Sequence, residues 1–514
     1  MIFAALEGAK YTPLVRMFVR SVTKRRWSHE IDAARRRLFV SALAAALVAC
    51  ASTQGPPTRR GASPDFPSLD GDLGVAAAAL LTRAISFDTT NPPGNERPLA
   101  EYLARVLQRE GIEARVIPLP GPSSTRAALW ARVPGRGERA PVVLLSHLDV
   151  VAAKEEGWAV DPFAGVEGGG TVVGRGALDA KGVTVSHLLA LVELARRRSP
   201  LARDVILLAT PDEETGGANG AGLITRGHPE LLRGAAYLLT EGAGILPGEN
   251  GDADVWGVAF TEKTPCWVEL TARGVPGHGS TASDSAAGLR LVRALGRVLD
   301  MKHALRVTPE VAQMFAHMAP LAPKSEQRQW RELRGALALN PQFRERFLSD
   351  PGRRALVQNT TSITQLAGSD SPNVVPAEAS ATIDARLLPG ESCAEFVSEM
   401  ASAIDDPSVE LSVLLEFPSV ASPTQTPLMT AIERVAARSK PAGFVVPRVI
   451  AGFTDAHYFR SLGITAYGFV PRRLRLQDSL GIHGPNERVS LENLALSVRT
   501  TVEILRELER VEED

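Results

Sequence analysis

Three short apolar runs limit what this chain can fold into. Residues 141–145, 205–209 and 236–240 are almost wholly apolar, and each leads into groups that bind protons or metals: Ser146-His147-Leu148-Asp149, Asp212-Glu213-Glu214 and Glu241. Unbroken apolar runs of this length read as strands buried on both faces, as in a parallel sheet covered by helices. Between the first two lies a helical pattern over 183–197, with Leu188, Leu191 and Leu194 on one face. The alternation predicts an α/β fold with a wound, mostly parallel sheet, whose site lies along the C-terminal ends of its strands. His147 and Asp149 are two positions apart, so an extended backbone turns both to one side. A carboxylate so placed can accept the proton of the free ring nitrogen and fix the tautomer of a metal-binding histidine.

The character changes near Thr264. Residues 267–272 alternate as a half-exposed strand does, 287–299 and a polar stretch over 309–352 read as helical, and 361–366 and 379–387 read as antiparallel strands. Residues 266–390 are therefore expected to form an inserted α+β lid or dimerisation module. The catalytic domain is then discontinuous, comprising 71–265 and 391–514. Further helices are expected at 76–85, from Glu96, at 428–439 and from Leu491, and further strands at 113–118, 127–133, 445–449 and 465–470.

At 514 residues with 44% hydrophobic content, the chain is long enough for two such domains. A net charge of −1 gives no support for a nucleic-acid surface. Three cysteines, Cys50, Cys266 and Cys393, cannot build a disulfide framework or a cysteine-rich zinc site. Cys266 and Cys393 are expected to be small buried hydrophobes, and any metal must be held by His, Asp and Glu. Arg35-Arg36-Arg37 followed by the apolar run 38–49 and Cys50 reads as a signal peptide over 1–50, with Leu47-Val48-Ala49-Cys50 similar to a bacterial lipobox. Residues 51–70, rich in Ser, Thr, Gly and Pro toward their start, read as a flexible tether. The expectation is a bacterial envelope protein, lipid-anchored or secreted to the periplasm, touching membrane only through that anchor.

Seven pieces occur in one order: Ser146-His147-Leu148-Asp149-Val150-Val151, Gly174-Arg175-Gly176-Ala177-Leu178-Asp179-Ala180-Lys181-Gly182, Asp212-Glu213-Glu214-Thr215-Gly216-Gly217, Glu241-Gly242, Gly277-His278-Gly279-Ser280, Asn373-Val374-Val375-Pro376 with Arg386, and His483-Gly484-Pro485-Asn486-Glu487. Together they resemble the metallopeptidase family of zinc-dependent aminoacylases, carboxypeptidase S and succinyl-diaminopimelate desuccinylases. The likeness is greatest to the carboxypeptidase S and secreted N-acyl-amino-acid hydrolase branch. The resemblance implies two zinc ions per chain: His147 and Glu241 on one, Glu214 and His483 on the other, and Asp179 bridging. It implies Glu213 as general base on a metal-bound hydroxide, Asp149 behind His147, and His278, Asn373 and Arg386 from the inserted module on substrate. His278 would serve its own site or that of a neighbouring subunit in a homodimer. Asp455 and His457 are expected only to support the site.

The residue chemistry agrees with that assignment. Imidazole and carboxylate suit zinc, and three carboxylates against two divalent ions leave about one positive charge for a hydroxide to neutralise. Arg386 is a planar fork matched to a carboxylate. The expected reaction is hydrolysis of an amide in a small peptide or N-acyl amino acid that carries a free carboxylate. A dipeptidase without acyl preference, and a binding protein that kept the fold without the chemistry, are the alternatives. A serine hydrolase is disfavoured because no Gly-x-Ser-x-Gly elbow joins a strand to a helix.

Overall fold

The structure is a computed structural model that describes residues 66–512, apart from 122–124, 198, 249–252, 282 and 476–480. The expected signal peptide and nearly all of the expected tether lie outside the described residues. No helix among the described residues is long and apolar enough to cross a membrane.

The central sheet follows the order Glu113–Pro118, Ala127–Val133, Val205–Thr210, Val142–His147, Tyr237–Thr240, Thr465–Gly468, Asp254–Glu262 and Gly443–Ile450, with the short Ile245–Leu246 strand added beside Asp254–Glu262. Its centre is parallel; Ala127–Val133 runs antiparallel to both of its neighbours, and Thr465–Gly468 meets Asp254–Glu262 antiparallel. Every residue of Val142–His147 and Val205–Thr210 is buried, which is why those stretches read as continuous apolar runs rather than alternating ones. Their register sets Ser146 against Ala209 and His147 against Thr210, so both strands end level. On the other side Leu144 faces Leu239, which brings Glu241 to the same edge. The helix Lys181–Ala195 is buried almost all round and packs against this centre. The strands Gly443–Ile450 and Thr465–Gly468 return from far along the chain to complete the sheet, so the sheet is discontinuous in sequence.

A second sheet is wholly antiparallel, in the order Thr360–Ala367, Glu378–Leu387, Thr264–Arg273 and Val409–Glu416. Helices Ala287–Asp300 and Cys393–Ile404 close it around a core of its own, including Val268, Leu291, Ile383, Phe396 and Met400. The antiparallel sheet thus runs to Glu416, beyond the expected boundary at residue 390. A helix followed by a strand at 393–416 looks the same in sequence whichever sheet receives the strand, and only the pairing of Cys266 with Glu416 through Ala272 with Val409 decides it.

The helical stretch that begins at Pro309 is a second difference. Phe315, Phe343 and Phe347 belong to the same core as Val446 and Val449, and the Val449 N–H reaches Met314 Sδ at 3.4 Å. These helices join the core of the central sheet rather than that of the antiparallel one. The cysteines are a third difference. Cys266 and Cys393 form a disulfide that ties a central lid strand to the start of the Cys393–Ile404 helix. Their separation of 127 residues leaves no local trace of that pairing.

Candidate metal centre

His147 is the last residue of its strand, and its ring lies at the sheet edge with 1% exposure. Its Nδ1 sits 2.9 Å from the backbone carbonyl of Asp149 and 3.5 Å from that residue's carboxylate. The carbonyl is thus the nearer orienting partner, where the spacing alone suggested the carboxylate. The Asp149 carboxylate instead accepts the backbone N–H groups of Glu213 at 3.2 Å and Glu214 at 3.1 Å, so it holds the following acidic turn in place.

The other ring nitrogen of His147 faces Asp179 Oδ1 at 2.9 Å and Glu241 Oε2 at 3.4 Å. The second oxygen of Asp179 faces His483 Nε2 at 3.2 Å, and His483 Nε2 also lies 3.3 Å from Glu214 Oε2. Asp179 thereby presents one oxygen to each histidine. Two donor groups result, His147–Asp179–Glu241 and Asp179–Glu214–His483, and the donor atoms of each lie within 4.8 Å of one another. Glu213 is buried beside them, its Oε2 3.9 Å from His147 Nε2.

The electrostatics are those of a site short of positive charge. Burial pushes the Glu213 carboxyl well up, and the neighbouring Glu241 adds to the shift. Burial likewise raises Glu241, and it raises Glu214 to about 7 with help from Asp179. Hydrogen bonds to Asp179 and Glu214 raise His483 to about 10. Burial opposes the proton on His147, but the Glu241 charge and bonds to Asp149 and Asp179 outweigh it and hold its pKa well above the usual value. Protons on two histidines and on crowded carboxyls supply the charge that divalent cations would supply with less repulsion. Imidazole nitrogen and carboxylate oxygen in these numbers fit two divalent ions of the zinc type.

Sequence reasoning missed the groups that hold this arrangement together. Glu487, fully buried, accepts the N–H groups of Leu178 at 2.6 Å, Asp179 at 3.0 Å and Gly176 at 3.0 Å, and pairs with Arg175 at 2.7 Å. Arg175 also donates to the carbonyl of His483 at 3.2 Å. One carboxylate thus fastens the bridging-aspartate loop to the segment that carries the distant histidine. Its place in His483-Gly484-Pro485-Asn486-Glu487 was the available signal. Asp455 is buried and accepts from Thr210 Oγ1 at 2.7 Å, and His457 stacks on Phe417 with ring centroids 3.5 Å apart.

His278 and Asn373 lie at a separate two-stranded sheet, and Arg386 lies in the antiparallel sheet. His278 is exposed on the two-residue strand Gly277–His278, where its Nδ1 meets Ser280 Oγ at 2.7 Å. Asn373 lies beside it, its carbonyl accepting the Gly279 N–H at 2.7 Å. Arg386 sits elsewhere on the lid sheet, bound through Nε and Nη2 to Asp384 at 2.5 and 2.9 Å and lying over the Phe453 ring at 4.8 Å. Its Nη1 is buried and has no hydrogen-bond partner among the described residues.

The chain is 32% identical over 379 residues to the N-fatty-acyl-amino acid synthase/hydrolase PM20D1 of Xenopus tropicalis, covering 71% of this chain and 72% of that protein. It is 27% identical over 423 residues to human aminoacylase-1, covering 80% and 89%. In fold it is similar to the dipeptidase Dug1p of Saccharomyces cerevisiae, with a TM-score of 0.69 at 15% identity over 86% of this chain and 97% of that one. It is also similar in fold to the metallo-carboxypeptidase Sso-CP2 of Sulfolobus solfataricus, with a TM-score of 0.67 at 19% identity over 85% and 99%. The model of peptidase family M20/M25/M40 matches residues 143–507, a span that holds both donor groups and the lid, and the chain belongs to that family of metallopeptidase-type hydrolases.

Proposed function

We propose that the chain is a dinuclear zinc hydrolase that cleaves the amide bond of an N-acyl amino acid or small peptide bearing a free carboxylate. The observation that carries this reading is Asp179, whose two oxygens face two different histidines within two donor groups. His147 and Glu241 would hold one cation, Glu214 and His483 the other, with Asp179 shared. Two bound cations supply Lewis-acid polarisation and a more acidic water. Glu213, buried next to His147, takes the proton of the attacking water and returns it to the leaving nitrogen. Asp149 fixes the turn that carries Glu213. Arg386, clamped by Asp384 with Nη1 left over, is suited to the substrate carboxylate. His278 and Asn373 are assigned to substrate contacts, with His278 donating to the developing oxyanion. The exposure of His278 on the lid supports its service in the site of a second copy of the chain. The sequence relatives favour an acyl group over a second amino acid as the electrophile, since PM20D1 and aminoacylase-1 are named for acyl amino acids.

The Cys266–Cys393 bond supports the exported location that the N-terminal residues suggest, because such bonds persist in oxidising compartments. Metal analysis of purified protein, with turnover of N-lauroyl-L-leucine, N-acetyl-L-leucine and Gly-L-leucine, tests the assignment. About two zinc ions per chain and a preference for the acyl substrates are expected. One ion or none after zinc loading, or release of leucine from Gly-L-leucine alone, would reject the dinuclear or the acyl part respectively.

A further inference from the structure

We propose that Arg126 and Asn91 are positioning residues for Glu213: neither touches substrate or metal, and together they hold the turn that aims the base. This rests on Glu213 being the general base. The Asp149 carboxylate that receives the Glu213 and Glu214 N–H groups is itself held by Asn91, whose Nδ2 donates to Asp149 Oδ2 at 2.9 Å and to Thr215 Oγ1 at 3.1 Å. Arg126 grips both ends of this arrangement. One guanidinium nitrogen pairs with Asp212, and the other donates to the side-chain oxygen of Asn91 and to the Pro93 carbonyl at 3.1 Å.

Asp212 is the residue just before Glu213, and its backbone is left-handed at φ +78°. A residue with a Cβ enters that region at a cost, so its surroundings must impose the conformation. Here they do: besides Arg126, the Asp212 carboxylate accepts Thr215 Oγ1 at 2.8 Å and the Asn219 N–H at 2.8 Å. Asn91, Arg126, Asp149 and Asp212 are 4%, 6%, 0% and 2% exposed, so water cannot replace a lost partner cheaply. The chain of contacts runs from Arg126 to Asp212 and Asn91, from Asn91 to Asp149, and from Asp149 to the backbone of Glu213. No atom of Arg126 or Asn91 belongs to either donor group. Loss of the guanidinium should therefore move Glu213, while the donor atoms of His147, Asp179 and Glu241 stay in place and the Glu214 carboxylate keeps its own tether, the Val151 N–H at 3.2 Å.

The test is Arg126→Met, measured on the best wild-type substrate among N-lauroyl-L-leucine, N-acetyl-L-leucine and Gly-L-leucine. A misplacement of about 1 Å costs on the order of 10²-fold, so kcat should fall roughly that far with KM within about threefold and zinc content unchanged. Adding Asp212→Asn removes the stranded buried charge and installs a residue that enters the left-handed region more readily. The double variant should regain about tenfold or more in kcat over Arg126→Met. The idea is overturned if Arg126→Met keeps kcat within about threefold, loses activity through KM or zinc loss, or gains nothing from Asp212→Asn. Should Arg126→Met fail to fold, Asn91→Ala faces the same kcat-against-KM criterion. A crystal structure of either variant decides independently of turnover: Asp212 must leave the left-handed region or the Glu213 carboxylate must shift. If the wild type cleaves none of the three substrates, the functional reading fails while this structural arm still judges the positioning role.

Discussion

Replacing Glu487 by glutamine is the sharpest probe of how the site is held. The substitution is nearly isosteric, so effects of size stay small, and it removes the charge of a fully buried group. Glu487 uses both oxygens: Oε1 accepts from Leu178 and Asp179, and Oε2 accepts from Gly176 and Arg175. Burial and the nearby Asp179 push its carboxyl up, while the backbone N–H donors of Leu178, Asp179 and Gly176 pull it back toward the ionised form. In the glutamine variant one oxygen keeps its two bonds. The other becomes an amide nitrogen that faces two donors, and Arg175 loses its carboxylate. Breaking a buried, hydrogen-bonded pair in this way costs about 3–5 kcal/mol. Because Arg175 also holds the carbonyl of His483, the loss reaches both donor groups through the Asp179 loop and the His483 segment. Metal affinity should fall about 10–100-fold, as it does when partners of metal ligands are removed. Isothermal titration with zinc and a thermal melt of the metal-free protein measure the two effects separately. Wild-type zinc affinity, together with a melting midpoint unchanged to within about a degree, would refute the claim that Glu487 couples the two segments.

Glu213→Gln should keep about two zinc ions per chain and lower kcat by roughly 10²–10⁴, which paired metal analysis and kinetics will show. Removing the Cys266–Cys393 bond by a double Cys→Ala change should cost up to about 5 kcal/mol, given the long loop it closes, and should lower the melting temperature of the non-reduced protein. The folded-state pKa of His483, about 10, lies above its ordinary 6.5 because of Asp179 and Glu214. Its proton therefore stabilises the metal-free protein fully below pH 6.5, and that stabilisation is lost as pH climbs through about 10. Melting of the metal-free protein should decline across that window. Zinc binding near neutral pH should release protons, measurable as a dependence of binding heat on the buffer's ionisation enthalpy.

What the sequence makes legible follows from which features leave a periodic or local imprint. Val142–His147 and Val205–Thr210 could be read with nearly their observed bounds because burial on both faces turns a strand into an unbroken apolar run. Their C-terminal ends then place His147 and the Asp212-Glu213-Glu214 turn at one edge without further information. Asp179 and His483 sit in stretches of the sequence where no periodicity marks them, and only the resemblance of the surrounding motifs drew them toward the site. The lid boundary, the disulfide and the assignment of the 309–355 helices were hidden for a different reason. Each is a choice of partner across more than a hundred residues, made by side-chain packing or strand register and invisible along the chain.

Arg126 and Asn91 are hidden in a similar way, separated from Asp212 by 86 and 121 residues. Their case has a general consequence for reading such sites. Crowded acids around two histidines repel one another, and the donor residues alone do not fix the direction of the Glu213 side chain. Something outside the cluster has to impose the turn, and it has to be buried and cationic to sit beside Asp212 and Asp149 at acceptable cost. A lone arginine opening an apolar strand next to a proline-rich loop therefore marks the support of a site as much as an acidic strand end marks the site itself.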